Sequence, residues 1–147
     1  MTNPEAAQLL SKGICALTEG NALEALVNFE RAVQLESNPL GNSYLAYCIA
    51  KERGQVRKGI LLCQEAIAQD PNNSIHYLNL GRIQLRAGWK DDALETFRKG
   101  LGREPNQQIL EDLQKLEPRK PPVIPFLDRN NLLNKYLGII MTRLGLR

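Results

Sequence analysis

Residues 75–105 read IHYLNLGRIQLRAGWKDDALETFRKGLGREP, and the spacing of their apolar residues decides the fold. The first half sets Ile75, Leu78, Ile83 and Leu85 among polar residues and ends at Gly88, as expected of a glycine just past a helix C-terminus. In the second half Ala93, Leu94, Phe97 and Leu101 recur at intervals of three and four, which makes one apolar helix face. Pro105 stops that helix because proline cannot extend the hydrogen-bond ladder. Asp91 and Asp92 open it, where negative charge suits the helix dipole; that role outweighs a paired-carboxylate site. The unit is helix, tight turn, helix, extended break.

The same unit recurs with a period of 34 residues. Matching triplets are Gly20, Gly54 and Gly88; Ala25, Gly59 and Ala93; Leu26, Ile60 and Leu94; Phe29, Cys63 and Phe97. Ala32, Ala66 and Gly100; Val33, Ile67 and Leu101; and Ser37, Pro71 and Pro105 continue the series. Repeats are expected at about 6–39, 40–73 and 74–107. A short helix over 107–116, with Ile109, Leu110, Leu113 and Leu116, then caps the last apolar face, as a repeat array requires. Glu111 and Lys115 are placed to pair on its outer side.

On Tyr77, Leu80, Gly81, Ala93, Phe97 and Pro105 in the third copy, and Leu9, Gly13, Ala25, Phe29 and Ala32 in the first, the chain resembles the tetratricopeptide repeat family over about residues 6–116. The resemblance implies an all-α, right-handed solenoid of three helix-turn-helix repeats. Tyr47 and Gly59 depart from the pattern and are read as a large-for-small exchange between facing positions. Ala16, Ala50 and Gln84 replace the family's first-helix tyrosine.

The resemblance also implies a concave groove lined by the first helix of each repeat. Its positions here are Ala7, Leu10, Ile14 and Leu17; Gly41, Tyr44, Cys48 and Lys51; and Ile75, Leu78, Arg82 and Leu85, with Asn79 and Arg86 beside them. Related chaperone adaptors clamp a C-terminal carboxylate with lysine and asparagine at such positions. Here Leu10, Ile14 and Ile75 replace them and Asn79 alone agrees, so the apolar face of a helix is the expected ligand. Each of these side chains is equally suited to packing against a neighbouring repeat.

Composition narrows the function. The chain has 147 residues, 43% hydrophobic and 24% charged, as in an ordinary folded domain. Cys15, Cys48 and Cys63 are odd in number and show no CxxC spacing; with the single His76 they form neither a disulfide framework nor a zinc site, and are expected as buried thiols. His76 itself is expected on the surface. No GxSxG, HExxH or glycine-rich phosphate loop is present, so no catalytic residue, metal or cofactor is expected. MTNPEAAQLLSKG lacks the features of a signal peptide, and a cytoplasmic location is expected.

The repeats end at EPRKPPVIPFLDRNNLLNKYLG, from Glu117. Pro118, Pro121, Pro122 and Pro125 predict an extended linker over 117–128. A basic amphipathic helix over 129–147 follows, with Leu132, Leu133, Tyr136, Leu137, Ile140 and Leu144 on one stripe. Residues 118–147 hold six basic residues and one acidic, net +5; the first 117 hold 13 basic and 15 acidic, net −2. Leu133, Tyr136, Leu137, Ile140 and Leu144 are therefore expected to dock, in the chain's own groove or that of a second copy. The expected function is a noncatalytic adaptor for a protein or peptide partner, gated by this tail. The competing reading is a membrane or nucleic-acid tether acting through the tail, and a single tyrosine there weighs against base stacking.

Overall fold

The computed structural model describes residues 2–117 and 132–145. Its helices are α1 (Pro4–Thr18), α2 (Ala22–Leu35), α3 (Pro39–Arg53), α4 (Val56–Gln69), α5 (Ser74–Arg86), α6 (Lys90–Arg103), α7 (Gln107–Leu116) and α8 (Leu132–Arg143). The chain divides into compact units 1–116 and 117–147; the linker expected over 117–128 lies, from residue 118, outside the described residues.

Helix boundaries follow from local chemistry. Among the described residues asparagine opens five helices: the side chains of Asn3, Asn21, Asn38, Asn73 and Asn106 each accept from a backbone N–H two or three residues on. The tight turns inside the repeats sit at Gly20, Gly54 and Gly88, whose φ values of 81°, 67° and 81° fall in the left-handed region that favours glycine. A carboxylate then closes each outer hairpin. Glu36, just past α2, accepts from the backbone N–H of Asn3; Glu104, just past α6, accepts from Ser74 N at 2.8 Å and Ser74 Oγ at 2.9 Å.

Paired helices α1/α2, α3/α4 and α5/α6 pack face to face, and each pair stacks on the next. In the outer two pairs a glycine admits a phenyl ring. A Cβ on Gly13 would lie 2.4 Å from Phe29 Cε1, and one on Gly81 would lie 2.3 Å from Phe97 Cε1. The middle pair reverses the sizes: Tyr47 stands at the glycine register, and the wholly buried Cys63 stands at the phenylalanine register. Tyr47 packs on the cluster that contains Cys63. This corrects the exchange expected between Tyr47 and Gly59, since a Cβ on Gly59 would meet the Ala46 carbonyl, Ile83 and Ala50 instead.

Stacking between pairs is uneven. α3 and α5 run closely together, with Ala46 and Ala50 against Leu80 and Ile83, whereas the α1 and α3 backbones scarcely meet. One period earlier Lys12 takes the place of Ala46, and a charged side chain is not buried in a dry seam. Large side chains from both helices bridge the wider interval. At the other end Ile109 of α7, wholly buried, joins Leu78, Ala93 and Phe97. The α7 positions that continue Ser74, Tyr77 and Gly81 are Gln108, Glu111 and Lys115, all exposed, so this helix ends the array with a polar face. Glu111 accepts from Gln107 Nε2 at 3.4 Å.

Candidate functional site

The first helices α1, α3 and α5 carry the residues assigned to the groove, and burial sorts them into two groups. Leu10, Ile14, Leu17 and Tyr44 are half-buried and belong, with Leu45, to one cluster spanning the interval between α1 and α3. The Tyr44 ring stacks on Phe29 at 5.2 Å and 12°, which fixes its plane. Burial raises the Tyr44 hydroxyl above its usual range, partly offset by the positive charge of Arg82. Ile75 and Leu85 are also half-buried, Ala7 is exposed and Gly41 is buried.

Three further positions assigned to the groove are sealed. Cys48 is 0% exposed, Leu78 1% and Asn79 1%, so they support the face from beneath and present no side chain to a ligand. Burial pushes the Cys48 thiol up to about 12; Glu52 adds to this and Lys51 opposes it. Cys63 is likewise buried and raised, but Cys15 is exposed, contrary to the expectation of three buried thiols.

His76 is the larger correction. Expected at the surface, it is wholly buried, with Nδ1 2.9 Å from Ser43 Oγ and Nε2 3.2 Å from Asp70 Oδ2. Asn79 Nδ2 donates to the same Ser43 hydroxyl at 3.3 Å, and that hydroxyl donates to the Leu40 carbonyl at 3.2 Å. The network ties α5 to α3 and to the end of α4, and it uses the one asparagine that agreed with a carboxylate clamp. Each buried polar atom has a partner here, which is the condition for such a network to stabilise packing.

Burial lowers the His76 pKa, against the opposing pull of Asp70 and Glu104. In the unfolded chain the imidazole takes up its proton near its ordinary value of about 6.5. Stability is therefore full above that pH and falls as the pH drops below it, because the unfolded state then binds the extra proton. Urea unfolding at pH 7.5 and 5.5 is expected to show a loss, at a slope of at most about 1.4 kcal/mol per pH unit, that His76→Gln removes.

At the other end of the face lies a cationic group. Lys51 Nζ and Arg82 Cζ each approach the half-buried Tyr47 ring, 5.9 Å from its centroid. Arg82 is held in a fork: Nε donates to Asp112 Oδ2 at 2.7 Å and Nη2 to Oδ1 at 3.4 Å. The exposed Arg86 donates from Nη2 to the Lys51 carbonyl at 3.2 Å. Tyr47 and Asp112 were not singled out as site residues from sequence. Asp112 carries a signal in hindsight, since it lies one period after Leu78, on the register of the first helices.

In the second unit Leu137 is half-buried, Ile140 and Leu144 are 49% and 67% exposed, and α8 includes Leu133 and Tyr136, whose side chains lie outside those described. Among the described residues no three His, Cys, Asp or Glu gather to hold a metal ion, and no helix is long and apolar enough to cross a membrane.

Comparison with known proteins agrees with this architecture. A tetratricopeptide repeat family model matches residues 62–95. The photosystem I assembly protein Ycf3 of Cuscuta obtusiflora is 29% identical over 114 residues, covering 66% of this chain and 68% of that protein. The first tetratricopeptide domain of Spaghetti (RPAP3), solved with the HSP90 peptide SRMEEVD, superposes with a TM-score of 0.62 at 19% identity, over 79% of this chain and 95% of that one. The Sgt2 domain from Aspergillus fumigatus gives 0.61 at 21% identity, over 85% and 92%. At such identities the two structures establish the shared fold.

Proposed function

Because this chain is a tetratricopeptide repeat protein, we propose that it is a noncatalytic adaptor whose first-helix face holds an apolar helix or peptide of a protein partner. The observation that carries the reading is the half-buried cluster Leu10, Ile14, Leu17, Tyr44 and Leu45, laid across the interval where α1 and α3 stay apart. Apolar side chains already positioned by neighbours lose little entropy on contact, and each gains by leaving water. The peptide-bound Spaghetti domain supports ligand binding by this fold, although Leu10, Ile14 and Ile75 stand here at the clamp positions and Asn79 is consumed internally.

The tail helix is assigned as the face's own competitor, in cis or from a second copy. The exposed Ile140 and Leu144 favour a docking role over a free helix in water. A reducing compartment, the cytoplasm in this reading, suits the free thiols Cys15, Cys48 and Cys63. The test is a titration of labelled peptide 118–147 against a chain ending at Glu117, followed by fluorescence anisotropy. Saturable, salt-insensitive binding supports the assignment. Binding of the full chain, but not the shortened one, to anionic liposomes or DNA, and lost on adding salt, overturns it in favour of a tether.

A further inference from the structure

We infer that the cationic end of the face, Lys51 and Arg82 around Tyr47 with Arg86 bonded to the Lys51 carbonyl, is a carboxylate subsite, and that Asp112 of α7 occupies part of it as an internal surrogate for an acidic residue of the partner. The inference rests on the groove reading above and adds a chemical requirement: an apolar helix carrying a carboxylate at one end.

Three observations carry it. The first is that a carboxylate already sits there. Asp112 meets Arg82 through two nitrogens of the guanidinium, the geometry by which arginine selects carboxylates, and its side chain is 14% exposed. The second is charge. The first 117 residues are net negative, yet Lys51, Arg82 and Arg86 gather here, with Asp112 and Glu52 the carboxylates identified beside them. Among the described residues Lys51 and Arg86 have no carboxylate partner, and both are exposed. The third is continuity. Lys51 lies one helical turn beyond Cys48 and two beyond Tyr44 on α3, and Tyr47, whose ring Lys51 and Arg82 approach, packs on the same apolar cluster, so the cations border it. A ligand seated on Leu10, Ile14 and Tyr44 therefore meets positive charge at one end.

The subsite also selects against the tail. Residues 118–147 contain one acidic residue, Asp128, ahead of the apolar stripe and among six basic ones, so the tail offers the cations little and an acidic partner displaces it. The release of Arg82 from Asp112 frees the third cation for the incoming carboxylate.

The experiment uses the full chain and two labelled synthetic helical peptides with the same leucine stripe, one ending in glutamates and the other in glutamines, measured by anisotropy. The glutamate peptide is expected to bind about fivefold tighter, the worth of a partly exposed ion pair. That preference is expected to vanish in Lys51→Gln/Arg86→Gln and to grow in Asp112→Asn. Equal affinity for both peptides, with binding to both lost in Ile14→Glu, overturns the subsite and leaves the groove standing. Failure of both peptides to bind overturns the groove and the subsite together.

Discussion

Gly81→Tyr is expected to unfold the third repeat, and addition of Phe97→Cys to restore it. A Cβ at Gly81 would fall 2.3 Å from Phe97 Cε1, so any larger side chain displaces a ring that is 0% exposed, at a cost of more than about 4 kcal/mol. Phe97→Cys alone empties the same space and is expected to cost about 3 kcal/mol. Together they copy the Tyr47 and Cys63 arrangement that the second repeat already uses at the same register. The double variant is expected to be at least about 2 kcal/mol more stable than the sum of the single losses, measured by urea unfolding. Strict additivity would mean that Tyr47 and Cys63 do not exchange volume.

Leu78→Glu is expected to abolish cooperative unfolding and to expose the apolar surface shared by α5, α6 and α7. Leu78 is 1% exposed and packs with Ala93, Phe97 and Ile109, so glutamate there loses a core leucine and places a carboxylate among apolar side chains. The loss is about 4 kcal/mol or more, comparable with the whole stability of a small domain. The change Ile14→Glu, at a half-buried position, is expected to cost only about 1 kcal/mol. Circular dichroism on the two variants separates them. Loss of ligand binding in Leu78→Glu reports unfolding, and only the half-buried positions report on recognition.

The features legible in sequence were those fixed by nearby residues. Gly88 and Pro105 bounded helices because each imposes its own backbone conformation, and the 34-residue offset carried one hairpin into the next. What escaped depends on the spacing between helices. His76 looked like a surface residue at a helix start; its burial needs Ser43 from 33 residues earlier and Asp70 at the end of α4. Cys48, Leu78 and Asn79 fall at groove register, yet neighbouring helices cover them, while Leu10, Ile14 and Tyr44 stay half-buried where α1 and α3 are apart. The registers of Tyr47 and Gly59 alone do not say which side chains meet; the glycine–phenyl contacts of the outer repeats identify Cys63 as the counterpart of Tyr47. The Arg82–Asp112 pair spans 30 residues and two helices, a distance that no local pattern encodes.

The most direct test of recognition by the apolar first-helix face is the affinity of a leucine-striped helical peptide for the intact chain and for its Ile14→Glu variant, with thermal unfolding of both recorded alongside. Saturable binding to the intact chain is expected, with at least about a tenfold loss in the variant and a melting temperature lowered by no more than about 6 °C. Equal affinity for the two folded proteins would place the ligand elsewhere and contradict recognition by this face.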